Sequence, residues 1–449
     1  MSSKSHHAIQ PVGESAAISE QGPPPLVIVE GFLGGFGTQT RWGDFQNHWT
    51  DDSMAGGSSR RRRAIFVSVG PVSSLHDRAC ELFYALKGGT IDYGAEHAAH
   101  HGHTTQYGRT IVGSYPEWSK EKPLHFLGHS FGGPTITKMQ WLLETGFFGE
   151  AYGPDMLLSV NTVSSPFRGT SVVYLLGERV DAAPLVRFWS VGNAITKVVH
   201  IISYLSPWTA SHMDFHTESR GYSCREASFW SLIKTLWRSD WAESRDIAPY
   251  DCTYVSADTR EAMGEGAVNP NTFYRSYAAS WSTMKNGKFK PPAKDFWEEP
   301  VLYHYATPIA NFDFMAVRPV PSFVAAMGED IKVGGEGSEV YRENDGVVPR
   351  FSQWHPLPCK QTKCEHFHHS DLTNPSLSSS RENLGVENGS QTLPSPGKWY
   401  VYELRKAHHG SIAPTWLDTP RQRAFWKELG RWLRDVDLAS GHCSSLAPM

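Results

Sequence analysis

The sequence lacks the compositional bias of a disordered or fibrous protein and the strong positive charge of a nucleic-acid-binding protein. Hydrophobic residues make up 40% and charged residues 20% of its 449 residues, which excludes a disordered or fibrous chain. The formal net charge is only −4, so the chain has no global attraction to nucleic acid, and we expect no nucleic-acid partner. The one concentrated basic run, 60–63, follows a Gly- and Ser-containing stretch and is typical of a solvated loop.

Long apolar runs and closely paired cysteines are also missing. No stretch of about 18 apolar residues could span a bilayer, and residues 1–25 lack the apolar core of a secretory signal. Six cysteines in so long a chain are too sparse for a disulfide framework, and none forms a Cys-x-x-Cys pair. We therefore expect free thiols in a soluble intracellular protein.

Short apolar runs alternate with segments long enough to hold helices. The runs are Leu26 to Val29, Ala64 to Val69, Leu124 to Leu127, Met156 to Val160 and Trp399 to Leu404. This alternation predicts an α/β fold whose mostly parallel sheet is covered by helices on both faces. We expect one ordered domain at 25–436, polar tails at 1–24 and 437–449, and a flexible insertion at about 370–397, where Ser, Asn, Gly and Pro are enriched.

The run Gly128-His129-Ser130-Phe131-Gly132 is typical of a nucleophile elbow. A strand-like run precedes it and the helical segment Thr135 to Thr145 follows, which is the strand, tight turn and helix that an elbow requires. Glycines on both sides of Ser130 relieve the crowding of a strained turn, and the helix N-terminus directs its dipole at the reaction centre. This context favours an α/β-hydrolase nucleophile over a serine in an ordinary glycine-rich turn.

A serine nucleophile needs a histidine base and a carboxylate that orients this base. In this fold the acid and then the histidine follow the serine along the chain. Asp345, in a turn before a short apolar run, is the best acid candidate, although an Asp before Gly is by itself usually a turn former. His408 and His409 both follow the strand 399–404, and the residues alone leave the choice of base open.

Two backbone N–H groups are expected to form an oxyanion hole for the ester carbonyl. Elbow geometry supplies one from Phe131, and the glycine-rich loop after the first strand supplies the other from Phe32. Such glycines could equally form a plain turn. Their place directly after a buried strand, beside a bulky apolar residue, favours the catalytic role.

The sequence resembles the thermoalkalophilic bacterial lipases, the related staphylococcal lipases and their eukaryotic homologues. The likeness runs from about Pro25 to about Val436, and its most specific parts are the runs Val69 to Glu81, Lys87 to His97 and His101 to Thr110. The resemblance implies a hydrolase that acts on triacylglycerols or on shorter esters. It also implies a lid at about 171–222, through which the protein would contact a lipid surface transiently.

The resemblance also implies particular catalytic residues. It supports Ser130 as nucleophile and Asp345 as acid. It favours His409 over His408 as base, because Ile412 then lies three residues after the base, as in the family pattern.

A structural zinc ion is a further implication of the resemblance. The family's two Asp and two His ligands map onto Asp77, His97, His103 and Asp251, in and near an insertion at 71–115. Imidazole and carboxylate ligands suit a closed tetrahedral zinc site. The residues alone would instead favour a histidine-rich surface loop, because His100 and His101 interrupt the ligand spacing.

Several positions depart from the family pattern. Glu30 stands where the family usually has His before the oxyanion loop. Ser411 replaces the calcium-binding Glu of the bacterial enzymes, and Thr415 and Trp416 do not restore the Asp-Pro pair that follows, so we expect no calcium at that site. A further group without a family counterpart is interpreted as a flexible surface loop, with a second metal site as the alternative: Cys364, His366, His368 and His369.

Other functions would use the same residues. An acyltransferase or a thioesterase would share the triad and differ only in its acceptor or leaving group. A non-catalytic binding protein that keeps the hydrolase fold is disfavoured by the intact set of Ser, Asp and His in the expected order.

Overall fold

The computed structural model describes residues 22–34, 42, 45, 62–209, 213–285, 288–297, 299–333, 339–369, 393–413 and 418–442. Most of the predicted N-terminal tail, of the insertion at 370–397 and of the C-terminal tail lies outside the described residues. So do Thr415 and Trp416.

Seven parallel strands form the central sheet of the described part. The strands of the chain are β1 (Leu26–Val29), β2 (Ala64–Val67), β3 (Gly89–Asp92), β4 (Tyr107–Ile111), β5 (Leu124–His129), β6 (Leu157–Val163), β7 (Phe273–Ser280), β8 (Thr283–Lys285), β9 (Lys288–Lys290), β10 (Cys364–His369) and β11 (Trp399–Arg405). The sheet order is β10-β11-β7-β6-β5-β1-β2, with every pair parallel. The pairs β3–β4 and β8–β9 are separate antiparallel hairpins.

Helices lie between these strands. They are α1 (Leu75–Lys87), α2 (Ala95–His101), α3 (Gly132–Glu144), α4 (Val172–Leu176), α5 (Val191–Tyr204), α6 (Ser206–Thr209), α7 (Phe229–Trp237), α8 (Ala248–Asp251), α9 (Tyr254–Ala262), α10 (Pro300–Ala310), α11 (Phe323–Val333), α12 (Glu339–Arg342) and α13 (Pro420–Ser440). Short 3₁₀ turns lie at Pro154–Met156, Glu218–Arg220, Ala293–Trp297, Phe314–Ala316 and Arg350–Gln353. No helix in the described ranges combines the length and apolar character needed to cross a bilayer.

Both faces of the sheet are buried. Alternate side chains of each strand point to opposite faces, so each strand contributes to two cores. In β1, Val27 and Val29 join a core with apolar residues of α1 and α3. Leu26 and Ile28 join a second core with aromatic and aliphatic residues of α13. A strand buried on both sides reads as a continuous apolar run, which explains why these strands are visible in the sequence.

The predicted fold class, a mostly parallel sheet flanked by helices, is confirmed. Two sheet strands, β7 and β10, have no counterpart among the predicted runs. The interpretation of Cys364 to His369 as a flexible loop is wrong, because this segment pairs with β11 in continuous register from Cys364 opposite Trp399 to His369 opposite Leu404. Its pairing uses the backbone, so its polar composition gave no sign of a strand.

Candidate active site

Ser130 lies in a strained turn between β5 and α3. Its φ is 54°, in the left-handed region that residues with a Cβ adopt only when the surroundings enforce it. The Ser130 N–H donates to Val163 O at 2.8 Å, and the Ser130 carbonyl accepts from Gly133 N at 3.1 Å. These bonds hold the backbone, so the turn has the conformation expected of a nucleophile elbow.

Glycines around Ser130 allow three backbone segments to come into contact. A Cβ on Gly132 would lie 2.1 Å from Val29 O, and one on Gly128 would lie 2.5 Å from Gly133 N. A Cβ on Gly31 would lie 2.7 Å from the Ser130 Cβ. The glycine-rich loop after β1 therefore packs directly against the elbow, where any side chain would push the two apart.

The predicted oxyanion donors lie in this contact. Leu33 has a φ of 54° and its N–H donates to Pro71 O at 2.9 Å, which fixes the loop that carries Phe32. Within the described ranges, neither the Phe32 N–H nor the Phe131 N–H has a hydrogen-bond acceptor. The structure therefore brings both predicted donors to the elbow with their N–H groups available.

Arg78 links the oxyanion loop to the elbow helix, a role that the sequence reasoning missed. Its guanidinium is fully buried and donates to Gly70 O at 2.7 Å, to Thr135 Oγ1 at 2.9 Å and to Glu30 O. It also lies 5.3 Å from the centre of the Phe131 ring. A planar guanidinium can hold several acceptors in a fixed arrangement, so Arg78 fixes the loop after β1 relative to α3, the two elements beside the predicted oxyanion donors.

Glu30, the departure beside the oxyanion loop, is a buried structural residue. Its Oε1 accepts from Trp42 Nε1 at 2.9 Å, and only 7% of its surface is exposed. A Cβ on Gly34 would lie 2.5 Å from the Glu30 Cβ, so the carboxylate side chain lies beneath the loop. Glu30 and Trp42 thus support the loop in addition to Arg78.

The carboxylate of Asp345 and the imidazole of His409 are joined directly by a hydrogen bond. Asp345 is fully buried, and its Oδ2 lies 2.9 Å from His409 Nδ1. The other carboxylate oxygen accepts from Val347 N at 2.9 Å and Val348 N at 2.7 Å. The His409 N–H also donates to Asp345 O at 2.9 Å. The carboxylate is therefore held from three directions, and it fixes the ring of His409.

The two adjacent histidines occupy different surroundings. His409 lies beside the elbow, because its carbonyl is 3.0 Å from Nε2 of His129, the residue before Ser130. His408 instead packs against Trp281 at a ring distance of 5.3 Å. Burial lowers the pKa of His408 to about 4, so this ring is neutral at physiological pH. The structure thus brings His409, and not His408, to Asp345 and the elbow.

Three of the four predicted zinc ligands lie together, and the fourth does not. Ligand atoms of Asp77, His97, His103 and Asp246 all lie within 4.8 Å of one another. Asp251 is absent from this group. Its Oδ2 accepts from Leu75 N at 2.7 Å, so its carboxylate instead binds the N-terminal end of α1. Asp246 therefore replaces Asp251 in the predicted set.

The cluster of Asp77, His97, His103 and Asp246 is called the Asp/His cluster below. His97 Nε2 lies 3.0 Å from Asp77 Oδ1, and His103 Nε2 lies 2.9 Å from Asp246 Oδ2. Burial opposes protonation of His97, but its hydrogen bonds with Asp246 and Asp77 raise its pKa to about 9. Two carboxylates and two imidazoles form a donor set that fits a tetrahedral zinc ion.

Arg220 competes for the same donor atoms. Its Nη2 lies 3.2 Å from Asp77 Oδ2 and 2.9 Å from His103 Nε2, and it also donates to Asp246. Zinc binding therefore requires Arg220 to give up these bonds.

The predicted lid region divides into a buried and an exposed part. The first three residues of helix α4 are buried in an aromatic core, in which its Tyr174 packs against Tyr254. Helix α5 and the segment before it expose apolar side chains, including Trp189, which is 93% exposed. The adjacent α7, beyond the predicted boundary, exposes Trp230 and Trp237 at 77% and 76%. Exposed apolar rings of the segment before α5 and of α7 lie close together, since the ring centres of Phe188 and Trp237 are 6.0 Å apart.

A strained serine after a central parallel strand, followed in chain order by an acid and a histidine that meet beside it, is the arrangement of an α/β-hydrolase. Residues 23–297 match the family model described as the lipase-like, C-terminal domain. The chain belongs to this family, which confirms the resemblance seen in the sequence.

Known relatives and solved structures agree with this assignment. A lipase of Staphylococcus hyicus is 31% identical over 444 residues, which cover 92% of this chain and 58% of that protein. Lipase 2 of Staphylococcus aureus is 28% identical over 353 residues, covering 74% and 45%. The chain spans about half the length of these curated relatives. The crystal structure of the Staphylococcus hyicus lipase (TM-score 0.65, 22% identity, 94% and 99% covered) and that of EstA from Clostridium botulinum (0.61, 22%, 92% and 87%) share its fold.

Proposed function

We propose that the chain is a serine carboxylic-ester hydrolase of the lipase type. The observation that carries this proposal is the 2.9 Å hydrogen bond between His409 and the buried Asp345. The backbone of His409 is in turn hydrogen-bonded to His129, which precedes the strained Ser130. The lipases among its relatives support the same reaction class.

The reaction would proceed through an acyl-enzyme. The Oγ of Ser130 attacks the ester carbonyl while His409 takes the hydroxyl proton. The backbone amides of Phe32 and Phe131 stabilise the resulting oxyanion. Collapse of this intermediate breaks the ester bond, and His409 returns the proton to the departing alcohol. Water then attacks the acyl carbonyl with His409 again as base, which releases the acid and restores Ser130. Asp345 orients His409 and stabilises its cation.

The proposed substrates are lipid or short-chain esters. The lid at 171–222, together with α7, would contact the lipid surface from which such a substrate enters the active site. The exposed tryptophans on this part of the molecule support this proposal. Replacing Trp230 and Trp237 by Ser should lower hydrolysis of emulsified triacylglycerol but not of a dissolved short ester. Trp297→Ser is a matched control, because Trp297 is 85% exposed outside the lid region. Equal losses on both substrates would contradict the lid proposal.

A zinc ion at the Asp/His cluster is proposed as a structural cofactor. It would be held by Asp77, His97, His103 and Asp246, and its charge would neutralise two buried carboxylates. Asp77 lies in α1, His97 in α2 and Asp246 in the segment before α8. The ion would therefore hold the insertion at 71–115 against the segment before α8. We expect chelation to lower the melting temperature more than it slows the reaction.

The test of the main proposal is a profile of hydrolysis rates for p-nitrophenyl esters of increasing acyl length, with Ser130→Ala as the decisive variant. This change should reduce kcat by about 10⁴ to 10⁶-fold, because it removes the nucleophile. Ser119→Ala, in a surface turn, should leave the rates unchanged. Full activity in Ser130→Ala would overturn the catalytic assignment, whereas transfer of the acyl group to an added alcohol in place of water would identify an acyltransferase.

A further inference from the structure

A second group of potential metal-binding side chains includes no residue of the proposed triad and joins the segment after the 3₁₀ turn Arg350–Gln353 to the edge strand β10. Ligand atoms of His355, Cys359, Cys364 and His366 all lie within 4.8 Å of one another. We call this group the Cys/His cluster. Its spacing is His-x₃-Cys-x₄-Cys-x-His, and both cysteines are free thiols.

We propose that the Cys/His cluster is a structural zinc site. Two cysteine thiolates and two neutral imidazoles are a common donor set of structural zinc, and four protein ligands leave no open position for chemistry. Binding would release the protons of the two thiols, and the two thiolates would neutralise the ion.

The distances between donor atoms match a tetrahedral ion. The Cys359 Sγ lies 3.5 Å from His355 Nε2 and 3.6 Å from His366 Nε2. Zinc bond lengths of about 2.3 Å to sulfur and about 2.05 Å to nitrogen, at a tetrahedral angle, place S and N about 3.6 Å apart. The Cys359 Sγ therefore already stands at the separation from both imidazole nitrogens that a shared zinc ion would impose, and the Cys364 Sγ lies within 4.8 Å of all three atoms.

Both histidines are oriented as metal ligands usually are. The Nδ1 of His355 lies 2.5 Å from Leu357 O, and the Nδ1 of His366 lies 3.2 Å from Glu403 Oε1. In each ring an oxygen acceptor fixes Nδ1, so Nε2 faces the cysteines. A carboxylate or carbonyl behind the ring is the usual support of a metal-binding histidine.

The cluster lies where a cross-link would matter for the rest of the fold. Cys364 and His366 belong to β10, the edge of the sheet, whereas His355 and Cys359 lie on the segment after the acid loop. Glu403 of β11 joins the two parts, because it binds Arg350 at 3.0 Å as well as His366. A zinc ion here would hold the edge strand to the segment that follows Asp345.

The test measures thiolate-bound zinc in the untagged full-length chain, purified in reducing buffer. An organomercurial added with a chromogenic zinc chelator should release about one zinc per chain, because it displaces metal only from thiolates. Cobalt reconstitution should give a thiolate-to-cobalt charge-transfer band. The double variant Cys359→Ser/Cys364→Ser should contain about one zinc fewer than the wild type and lose that band.

Cys224→Ser is the matched control, because Cys224 is a partly buried free thiol outside both clusters. It should keep the full zinc content. His103→Ala should lose the metal of the Asp/His cluster and keep the thiolate-bound one. The wild-type measurement does not depend on whether a variant folds. No zinc released by the mercurial, zinc content unchanged in the double variant, or a Cys359–Cys364 disulfide in the native chain would each overturn the proposal.

Discussion

The two halves of the candidate active site are held in place by different kinds of contact. In the nucleophile half, glycines let the backbones of β1, the elbow and α3 touch, since a Cβ on Gly132 would lie only 2.1 Å from Val29 O. In the acid–base half, Asp345 and His409 are 64 residues apart and meet through side-chain hydrogen bonds between two loops. Close backbone contacts within one turn require glycines at fixed spacing, which are visible in the sequence as a short motif. A side-chain contact between distant loops leaves no such motif.

The largest expected effect lies in the acid–base half. His409→Ala should lower kcat by about 10⁴ to 10⁶-fold, because the base is lost. His408→Ala, one position away, should change kcat only a few-fold, since His408 packs against Trp281 and lies away from the reaction. Steady-state kinetics on a dissolved ester measure both. If the two variants lost activity equally, the distinction between the neighbours would fail.

Asp345→Asn should have the next largest effect. The amide keeps the shape of the side chain but no longer stabilises the histidine cation, so kcat should fall by about 10⁴-fold. The melting temperature should change little by comparison, which separates this loss from unfolding. A variant that retained more than a tenth of the wild-type kcat would contradict the role of Asp345.

In the nucleophile half, Gly132→Ala should act on folding. The new Cβ would collide with Val29 O, so the free energy of unfolding should fall by about 3 kcal/mol. Gly153→Ala is the control, because nothing lies within 4 Å of a Cβ there. Urea unfolding followed by circular dichroism gives both values. Equal stability of the two variants would show that the close contact of the backbones is not required.

A smaller effect is expected from Arg78→Met, which removes the link between the two sides of the proposed oxyanion hole. Glu30 O and Gly70 O would lose their donor, and the displaced amides should lower kcat by about 10 to 100-fold with little change in KM. Arg179→Met is the control, since Arg179 forms an exposed ion pair with Asp181. A change confined to KM would argue against a positioning role.

The smallest effect is a pH dependence of stability from His408. Its pKa of about 4 in the folded chain lies below the unfolded value of 6.5, so protons bind the unfolded state preferentially between these values. Stability should fall as the pH drops from 6.5 towards 4. His408→Gln should flatten that part of the stability curve. An unchanged curve would show that His408 does not contribute.

The sequence predicts the strand, turn and helix around Ser130 well, because the glycines and the strand-turn-helix pattern lie within a few residues. It predicts the distant contacts less well. Asp246 and Asp251 are five residues apart, and spacing cannot decide between them; the bridge between Ser73 and Ile247 brings Asp246 to the cluster, while Asp251 binds the start of α1. Likewise, Arg78 has no motif, and the Cys/His cluster forms only because β10 joins the sheet edge.

Covalent labelling tests the central claim, that Ser130 is an activated nucleophile, most directly. A fluorophosphonate should add once per chain, with the adduct mapped by mass spectrometry to the peptide that contains Ser130. Labelling should be absent in Ser130→Ala and strongly slowed in His409→Ala, but normal in His408→Ala. An adduct on another residue, or an active enzyme that the reagent neither labels nor inhibits, would contradict the account.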